Sequence, residues 1–296
     1  MTDRTITRRT KALCWLLVLT VLAAVAGAED TGEPAVDKSR FHLFNPTPSK
    51  YLRDLDTDGP GSTESPYTVD AGHFQIEMAL ASYTSDRDSF HGDTYRLDAW
   101  AIASIILKVG LLNRLDAQLV LEPYNLVTER VGTDRVTRRG FGDTTVRLKY
   151  NFWGNDAGLT AFAAIPYVKF PTSQEDLGNR SVEGGLILPF AVSLPSHFYL
   201  GLTTRFDAVR DEDDRGYHTE FINSIAFGHD LFGRLFGYVE FFSALSTERG
   251  APWVGTFNTG LIYELTKNIQ LNGGVNIGVT RSADDLTVFT GLAWRF

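Results

Sequence analysis

LTVFTGLAWRF, residues 286–296, decides the fold. Leu286, Val288, Thr290, Leu292, Trp294 and Phe296 hold alternate positions, the period of two that a strand shows when its two faces meet different surroundings. In a water-soluble domain the last residues fray, and an apolar aromatic ending there gains nothing. Here the terminus reads as part of a structure, and lipid against one side of a sheet is the solvent that accepts it.

Upstream, the same period recurs. In GHFQIEMAL (72–80) Phe74, Ile76, Met78 and Leu80 oppose His73, Gln75 and Glu77. In TTVRLKYNF (144–152) Val146, Leu148, Tyr150 and Phe152 oppose Arg147, Lys149 and Asn151, and in NIQLNGGVNIGV (268–279) Ile269, Leu271, Val275, Ile277 and Val279 oppose Gln270, Asn272 and Asn276. Such segments lie at 70–83, 94–109, 114–124, 143–152, 159–169, 181–192, 198–209, 217–228, 235–243, 254–265, 269–280 and 286–296, each near the ~9–11 residues that cross a bilayer when tilted. The connections GLLN, WGNDAG, SLPSH, HDLFGR and TKN are short, and they alternate with longer polar loops at 85–92, 125–142, 171–180, 210–216 and 246–252; only the last connection, RSADD (281–285), is short where a long one is expected. Twelve strands with short turns on one side and longer loops on the other describe an all-β, antiparallel transmembrane β-barrel of the bacterial outer membrane, with both chain ends in the periplasm. A soluble sandwich would give the period without that alternation of loops. In LDAWAIASIILKV (97–109) and LTAFAAIPYV (159–168) both faces are apolar, and the inward register stays open.

The last strand also resembles the C-terminal signal read by the barrel-assembly machinery of outer-membrane proteins. That resemblance assigns Leu292, Trp294 and Phe296 to the assembly signal.

At the other end, Arg4, Arg8, Arg9 and Lys11 precede an apolar run over 12–25, with Ala26 and Ala28 as the small pair of a cleavage site. Residues 1–28 therefore read as a secretory signal, since the run is shorter than the ~20 residues of a spanning helix. Cys14, the one cysteine, lies inside it, so the mature chain offers neither a disulfide nor a thiolate metal site. Removing the signal's four basic residues and one acid from a formal charge of −8 leaves −11, which argues against a nucleic-acid partner. Residues 29–69 are polar and broken by Pro34, Pro46, Pro48, Pro60 and Pro66, with at most a short helix around 49–55. They read as an irregular periplasmic extension or a plug ahead of the barrel at 70–296; a plug would set Arg53, Asp54 and Asp56 against lumen charges.

Two stretches carry a family resemblance: FNPTPSKYLRDLDTDGPGSTESPYTVDAGHFQIEM (44–78) and GFGDTTVRLKYNF (140–152). They resemble a bacterial family of outer-membrane transporter-like barrels labelled as belonging to a phenol-degradation (meta-cleavage) pathway. TESPYTVDAGHFQIE is the most specific block, and TDGPGSTESP departs slightly from the family's usual approach to it. The resemblance implies passive uptake of small molecules, hydrophobic or aromatic ones among them. A non-conducting structural or lipid-interacting barrel is the alternative.

No residue pattern supports an enzyme. None of the six histidines has a Ser two positions on, as outer-membrane acyl hydrolases require, and there is no Gly-x-Ser-x-Gly or His-Glu-x-x-His. No cofactor or metal is expected; DEDD (211–214) lacks the spacing of a calcium loop and reads as a solvated turn. The alternation places Glu77, Asp98, Asp116, Glu122, Arg147, Lys149, Glu183, Arg205, Asp207, Glu220, Glu240 and Glu264 toward the lumen, with mixed signs that do not form a single-sign selectivity ring. Arg96, Asp98, Arg147, Lys149, Tyr199 and Arg205 make one side of the interior bulky, while Thr256, Asn258, Gly260, Asn272, Gly274, Asn276 and Gly278 leave space on the other. That open side is the expected solute path, with Tyr238 and Phe242, and Trp100 and Phe162 if they face inward, as stacking surfaces; the alternative is that the glycines only relieve strain in a tightly curved sheet. Arg130, Arg135, Arg138 and Arg139, in a loop outside, are the candidates for lipopolysaccharide phosphates.

Overall fold

The computed structural model describes residues 36–90, 93–211 and 216–296. The expected signal peptide and most of DEDD lie outside the described residues.

Fourteen strands follow in chain order: β1 Phe74–Phe90, β2 Asp93–Leu112, β3 Leu115–Leu121, β4 Tyr124–Val131, β5 Asp134–Gly140, β6 Thr144–Trp153, β7 Thr160–Phe170, β8 Glu183–Leu194, β9 Phe198–Arg210, β10 Tyr217–Phe232, β11 Leu235–Ser246, β12 Val254–Thr266, β13 Ile269–Gly278 and β14 Leu286–Arg295. β1 pairs with both β2 and β14, so the antiparallel sheet closes on itself. Because β3 pairs with one half of β2 and β4 with the other, β3 and β4 together make a single stave, as do β5 and β6 beside them. The fourteen strands thus build a twelve-strand barrel.

Two expected loops are not loops. Residues 85–92 belong largely to β1 and β2, which stay paired from Phe74↔Val109 to Phe90↔Asp93. Residues 125–142 form the β4–β5 hairpin, turning at Gly132 with φ 56°, a left-handed value that glycine adopts without strain. Both stretches are polar because they rise beyond the membrane, where the sheet meets water on both sides and polarity no longer marks a loop. Only a 3-10 turn, Ser49–Tyr51, stands where a short helix was expected.

The alternation holds where it was clearest. Val146, Leu148, Tyr150 and Phe152 are 42–48% exposed, whereas Lys149 and Asn151 are fully covered. The outer side is thus apolar and the inner side polar, the inverse of a soluble protein and the arrangement lipid demands.

The ambiguous segments resolve against the expectation. Lys108 and Ser104 pair with inward Gln75 and Ala79, but at Ala103 the backbone takes φ 56°, and above it Ala101 and Ala99 pair with inward Ser82 and Thr84. The parity of β2 inverts at this bulge, and β1 inverts with it by skipping Leu80 in its pairing with β14. Arg96, Asp98 and Trp100 therefore point outward, not into the lumen. Phe162 also faces out, stacked on Phe152 at 5.5 Å and against Trp153 at 5.0 Å, because Ala161, Ala163 and Ile165 take the inward positions. Nothing in either run's polarity distinguishes its faces, so a one-residue shift was invisible.

The last strand lies as the alternation reads, with Trp294 and Phe296 exposed and Ala293 and Arg295 buried. Phe74 and Phe296 exchange backbone hydrogen bonds of 3.0 and 2.9 Å and stack at 5.8 Å, so the terminal residue closes the seam of the barrel.

Candidate functional site: the occupied lumen

Residues 53–69 have almost no regular structure, yet they run along the inward side chains of the barrel. An irregular backbone at membrane depth needs partners for each buried N–H and C=O, and the alternate polar positions of the strands supply them. Gln75 of β1, Gln270 of β13 and Arg295 of β14 donate to the carbonyls of Asp56, Leu55 and Arg53, each at 2.7 Å. Asn151 donates to Pro66 O at 2.9 Å, and Asp116 accepts from Val69 N at 3.0 Å. Gly110 lets the segment enter: a Cβ there would lie 2.1 Å from Asp70 O.

Two anchors stand out. Asp58, nearly fully covered, meets Lys108 at 2.5 Å and also Lys149, while Glu77 contacts Lys108 and accepts from Asp58 N at 2.9 Å. Lys149 also donates to Ser65 O at 2.7 Å and Tyr67 O at 3.2 Å. Burial alone would raise the Asp58 carboxyl, but the Lys108 and Lys149 ammonium groups outweigh it and hold it well below the carboxylate range. Its folded value is depressed, so its stabilising contribution is complete above an ordinary Asp pKa of ~3.9 and is lost only as pH falls further. At the second anchor, the Glu240 carboxylate accepts from Ser62 N at 2.9 Å, Thr63 N at 2.7 Å and Asn258 Nδ2 at 2.6 Å. Thr63 Oγ1 donates to Ser224 Oγ at 2.8 Å, and Thr203 Oγ1 accepts from Glu64 N at 2.9 Å.

Two cavities flank this second anchor. One, of about 240 Å³, is lined by Ser62, Phe242, Val254, Thr256, Asn276, Thr287 and the β13–β14 connection at Ser282, Ala283 and Asp284. The other, of about 550 Å³, reaches the β10–β11 turn at Gly233 and Arg234 and is lined by Gly61, Thr63, Tyr67, Tyr199, Phe236, Tyr238 and Glu240, among others. Residues 61–63 lie between them: Ser62 lines the first cavity, and Gly61 and Thr63 line the second. The second cavity is acidic, with Asp54, Asp56, Glu64, Asp230, Glu240 and Glu264 against Arg234 as its one basic lining residue. The Tyr238 hydroxyl and Asn276 Oδ1 are buried without a hydrogen-bond partner among the described residues.

The residues expected along a solute path therefore separate. Thr256 and Asn276 line the first cavity; Tyr238 and Glu240 line the second. Glu77 and Lys149 hold the segment, and Arg147 pairs with Glu64 at 2.9 Å. Arg205 and Asp207 bind each other at 2.6 Å under the Tyr167 hydroxyl. Asn258 clamps Glu240, while Asn272 lies beside Gly291. The space expected at Gly260, Gly274 and Gly278 is filled. A Cβ on Gly260 would lie 2.8 Å from the Tyr238 ring, one on Gly274 would lie 2.7 Å from the Phe289 ring and 2.5 Å from Thr259 O, and one on Gly278 would lie 2.5 Å from Asp284 O. These glycines make room for neighbours' rings and for the β13–β14 connection, so a Phe placed there would disrupt packing instead of blocking a path. Of the charges expected from 29–69, Arg53 pairs with Asp70 and Asp156 at the short-turn end. The residue set among lumen lysines is Asp58, which polarity alone did not single out from its neighbours. Asp211, the described part of DEDD, pairs with His218 at 3.0 Å.

Comparison with known proteins agrees with this architecture. The crystal structure of the COG4313 outer membrane channel from Pseudomonas putida F1 superposes with a TM-score of 0.60 at 12% identity, covering 80% of this chain and 99% of that one. The NanC porin gives 0.45 at 11% identity over 75% and 98%, and the translocator domain of autotransporter NalP from Neisseria meningitidis 0.46 at 9% over 75% and 88%. No curated protein matches the chain. The fold shared with the first of these is that of a β-barrel of the bacterial outer membrane. Residues 57–296, which include both anchors and every strand, match the family described as putative MetA-pathway of phenol degradation, and the chain belongs to that family.

Proposed function

We propose that the barrel is a passive channel for small, partly aromatic molecules that are neutral or cationic, and that residues 61–63, clamped on Glu240, are its gate. The observation that carries this reading is the position of that arc: two cavities open toward opposite ends of the lumen and are separated by backbone whose Ser62 and Thr63 N–H groups are both held by the Glu240 carboxylate. A volume of about 550 Å³ is ample for a single-ring solute, falling within the ~300–1,000 Å³ of ordinary ligand sites. Tyr67, Tyr199, Phe236 and Tyr238 offer ring faces, and the unpartnered Tyr238 hydroxyl offers a polar contact. With Glu64 paired to Arg147, the five other lining carboxylates still outnumber the one lining guanidinium, Arg234, and this excess repels organic anions at close range. The family's description in terms of phenol degradation fits an aromatic solute. The lining shows no paired nucleophile and base, which favours conduction over catalysis.

Liposome swelling tests this. Glu240→Ala leaves the strands intact but removes the acceptor of two backbone N–H groups, so the arc loses its backbone clamp and keeps only the Thr63–Ser224 side-chain bond. Swelling should rise severalfold over wild type with a phenyl glycoside and an arylalkylammonium ion, and much less with an arylsulfonate. If wild type and Glu240→Ala both match protein-free liposomes, the barrel does not conduct and its dense ion pairs serve structure alone.

A further inference from the structure

The register of β1, β2, β4 and β5 brings four arginines into one row. Arg87 lies directly opposite Arg96, Arg96 opposite Arg130, and Arg130 opposite Arg135. All four share the outward face, because Tyr83, Trp100 and Leu126 occupy the same parity four residues below, and Ser82, Thr84, Ala99 and Ala101 the other. Like charges directly opposite in a sheet repel, so a row of four calls for a counter-charge. Asp98 supplies one: it meets Arg96 at 2.9 Å and Arg130 at 3.6 Å and accepts from the Tyr83 hydroxyl at 2.7 Å. Among the described residues no carboxylate pairs with the side chains of Arg87 or Arg135. The side chains of Arg96 and Arg130 remain 38% and 40% exposed. Arg139, opposite Leu126, adds a fifth cation to the same face, with Glu175 bound to its backbone N–H. Arg138 is not part of the patch, since it faces the other way and pairs with Glu129 at 2.7 Å.

The depth of the row identifies what lies beside it. With a rise of about 3.3 Å per residue and a tilt of about 40°, Tyr83 stands about 23 Å above the periplasmic aromatic Phe74, close to the ~25 Å height of an apolar band. Tyr83 and Trp100, 4.8 Å apart, thus form the outer aromatic girdle. By the same measure Arg87 is about 33 Å up, in the headgroup layer of the outer leaflet.

The geometry points to the Arg87–Arg96–Arg130–Arg135 row as a binding site for the phosphate groups of an anionic glycolipid of the outer leaflet, chemically a phosphorylated lipid A headgroup. Four forked donors spaced by the ~4.8 Å of neighbouring strands span about 14 Å, the reach needed to engage separate phosphates of one or two headgroups.

The mature full-length chain, folded in detergent and titrated with bisphosphorylated lipid A under native mass spectrometry, tests the assignment. The wild type should retain the lipid. The Arg87→Gln/Arg130→Gln/Arg135→Gln variant, which keeps the Arg96–Asp98 pair, should bind at least about tenfold more weakly, as the loss of charge-assisted contacts implies. Arg138→Gln should bind as wild type does. A second arm needs no variant: dephosphorylated lipid A should show the same loss on the wild-type protein, and excess inorganic phosphate should not displace the intact lipid. Equal retention by the triple variant, equal binding of the dephosphorylated lipid, or displacement by phosphate alone would overturn the proposal.

Discussion

Asp58→Ala leaves a folded barrel whose N-terminal segment no longer stays docked. The substitution strands Lys149, whose remaining partners are the Ser65 and Tyr67 carbonyls, and leaves Lys108 with Glu77. Removing one partner from a buried ion pair costs about 3–5 kcal/mol because the other charge stays desolvated. That is roughly two to nearly four orders of magnitude in the docking equilibrium. The strand ladders do not depend on Asp58, so the loss falls on the segment. Limited proteolysis of the folded, heat-modifiable protein should cut within 36–69 far faster than in wild type, with 74–296 resistant. Asp58→Leu combined with Lys149→Met, which removes both charges, should restore much of the protection. Unchanged protease resistance in Asp58→Ala would show that the hydrogen bonds along 53–69 hold the segment without the ion cluster.

Deleting Phe296 should remove most of the folded protein from the outer membrane while leaving export intact. The deletion takes away both hydrogen bonds between Phe74 and Phe296 and the ring stack beside them, at the seam where first and last strands meet. It also truncates the outward series Leu292, Trp294 and Phe296, proposed as the assembly signal. Quantifying the heat-modifiable band in outer-membrane fractions checks this, with Trp294→Ser/Phe296→Ser expected to behave alike. Wild-type levels of the deletion would reduce Phe296 to a packing residue.

How much of this was legible follows from how each strand meets its surroundings. β6 has lipid on one side and polar groups on the other, so its sequence alternates and its inward residues could be named, while β14 could be read from its outward apolar set. β2 and β7 defeat the same reading because small apolar residues such as Ala101 and Ala163 fill the inward positions, and the Ala103 bulge leaves no trace in hydropathy. Above the membrane, water wets both faces, so the β4–β5 hairpin looked like a loop. The lumen charges were visible as a set, but their partners were not. Lys149 reads as a path residue until Asp58, 91 positions earlier, is seen against it. Gly260 and Gly274 read as open volume because a sequence does not show that Tyr238 and Phe289 lean over them from adjacent strands.

The most direct test of the gate is a reversible lock on the 61–63 arc. An ideal Cβ on Gly201 would lie 4.0 Å from Thr63 Cβ, within the ~3.5–4.5 Å that a disulfide spans, and Cys14 in the expected signal is the chain's one native thiol. Thr63→Cys/Gly201→Cys, placed in the Glu240→Ala background, ties the arc to β9 after its native clamp is gone. Swelling of liposomes with a phenyl glycoside should be low in the oxidised protein and rise to the Glu240→Ala level on reduction. Equal swelling before and after reduction, with the disulfide verified by mass, would contradict the account: the solute would be passing elsewhere, and residues 61–63 would not be the gate.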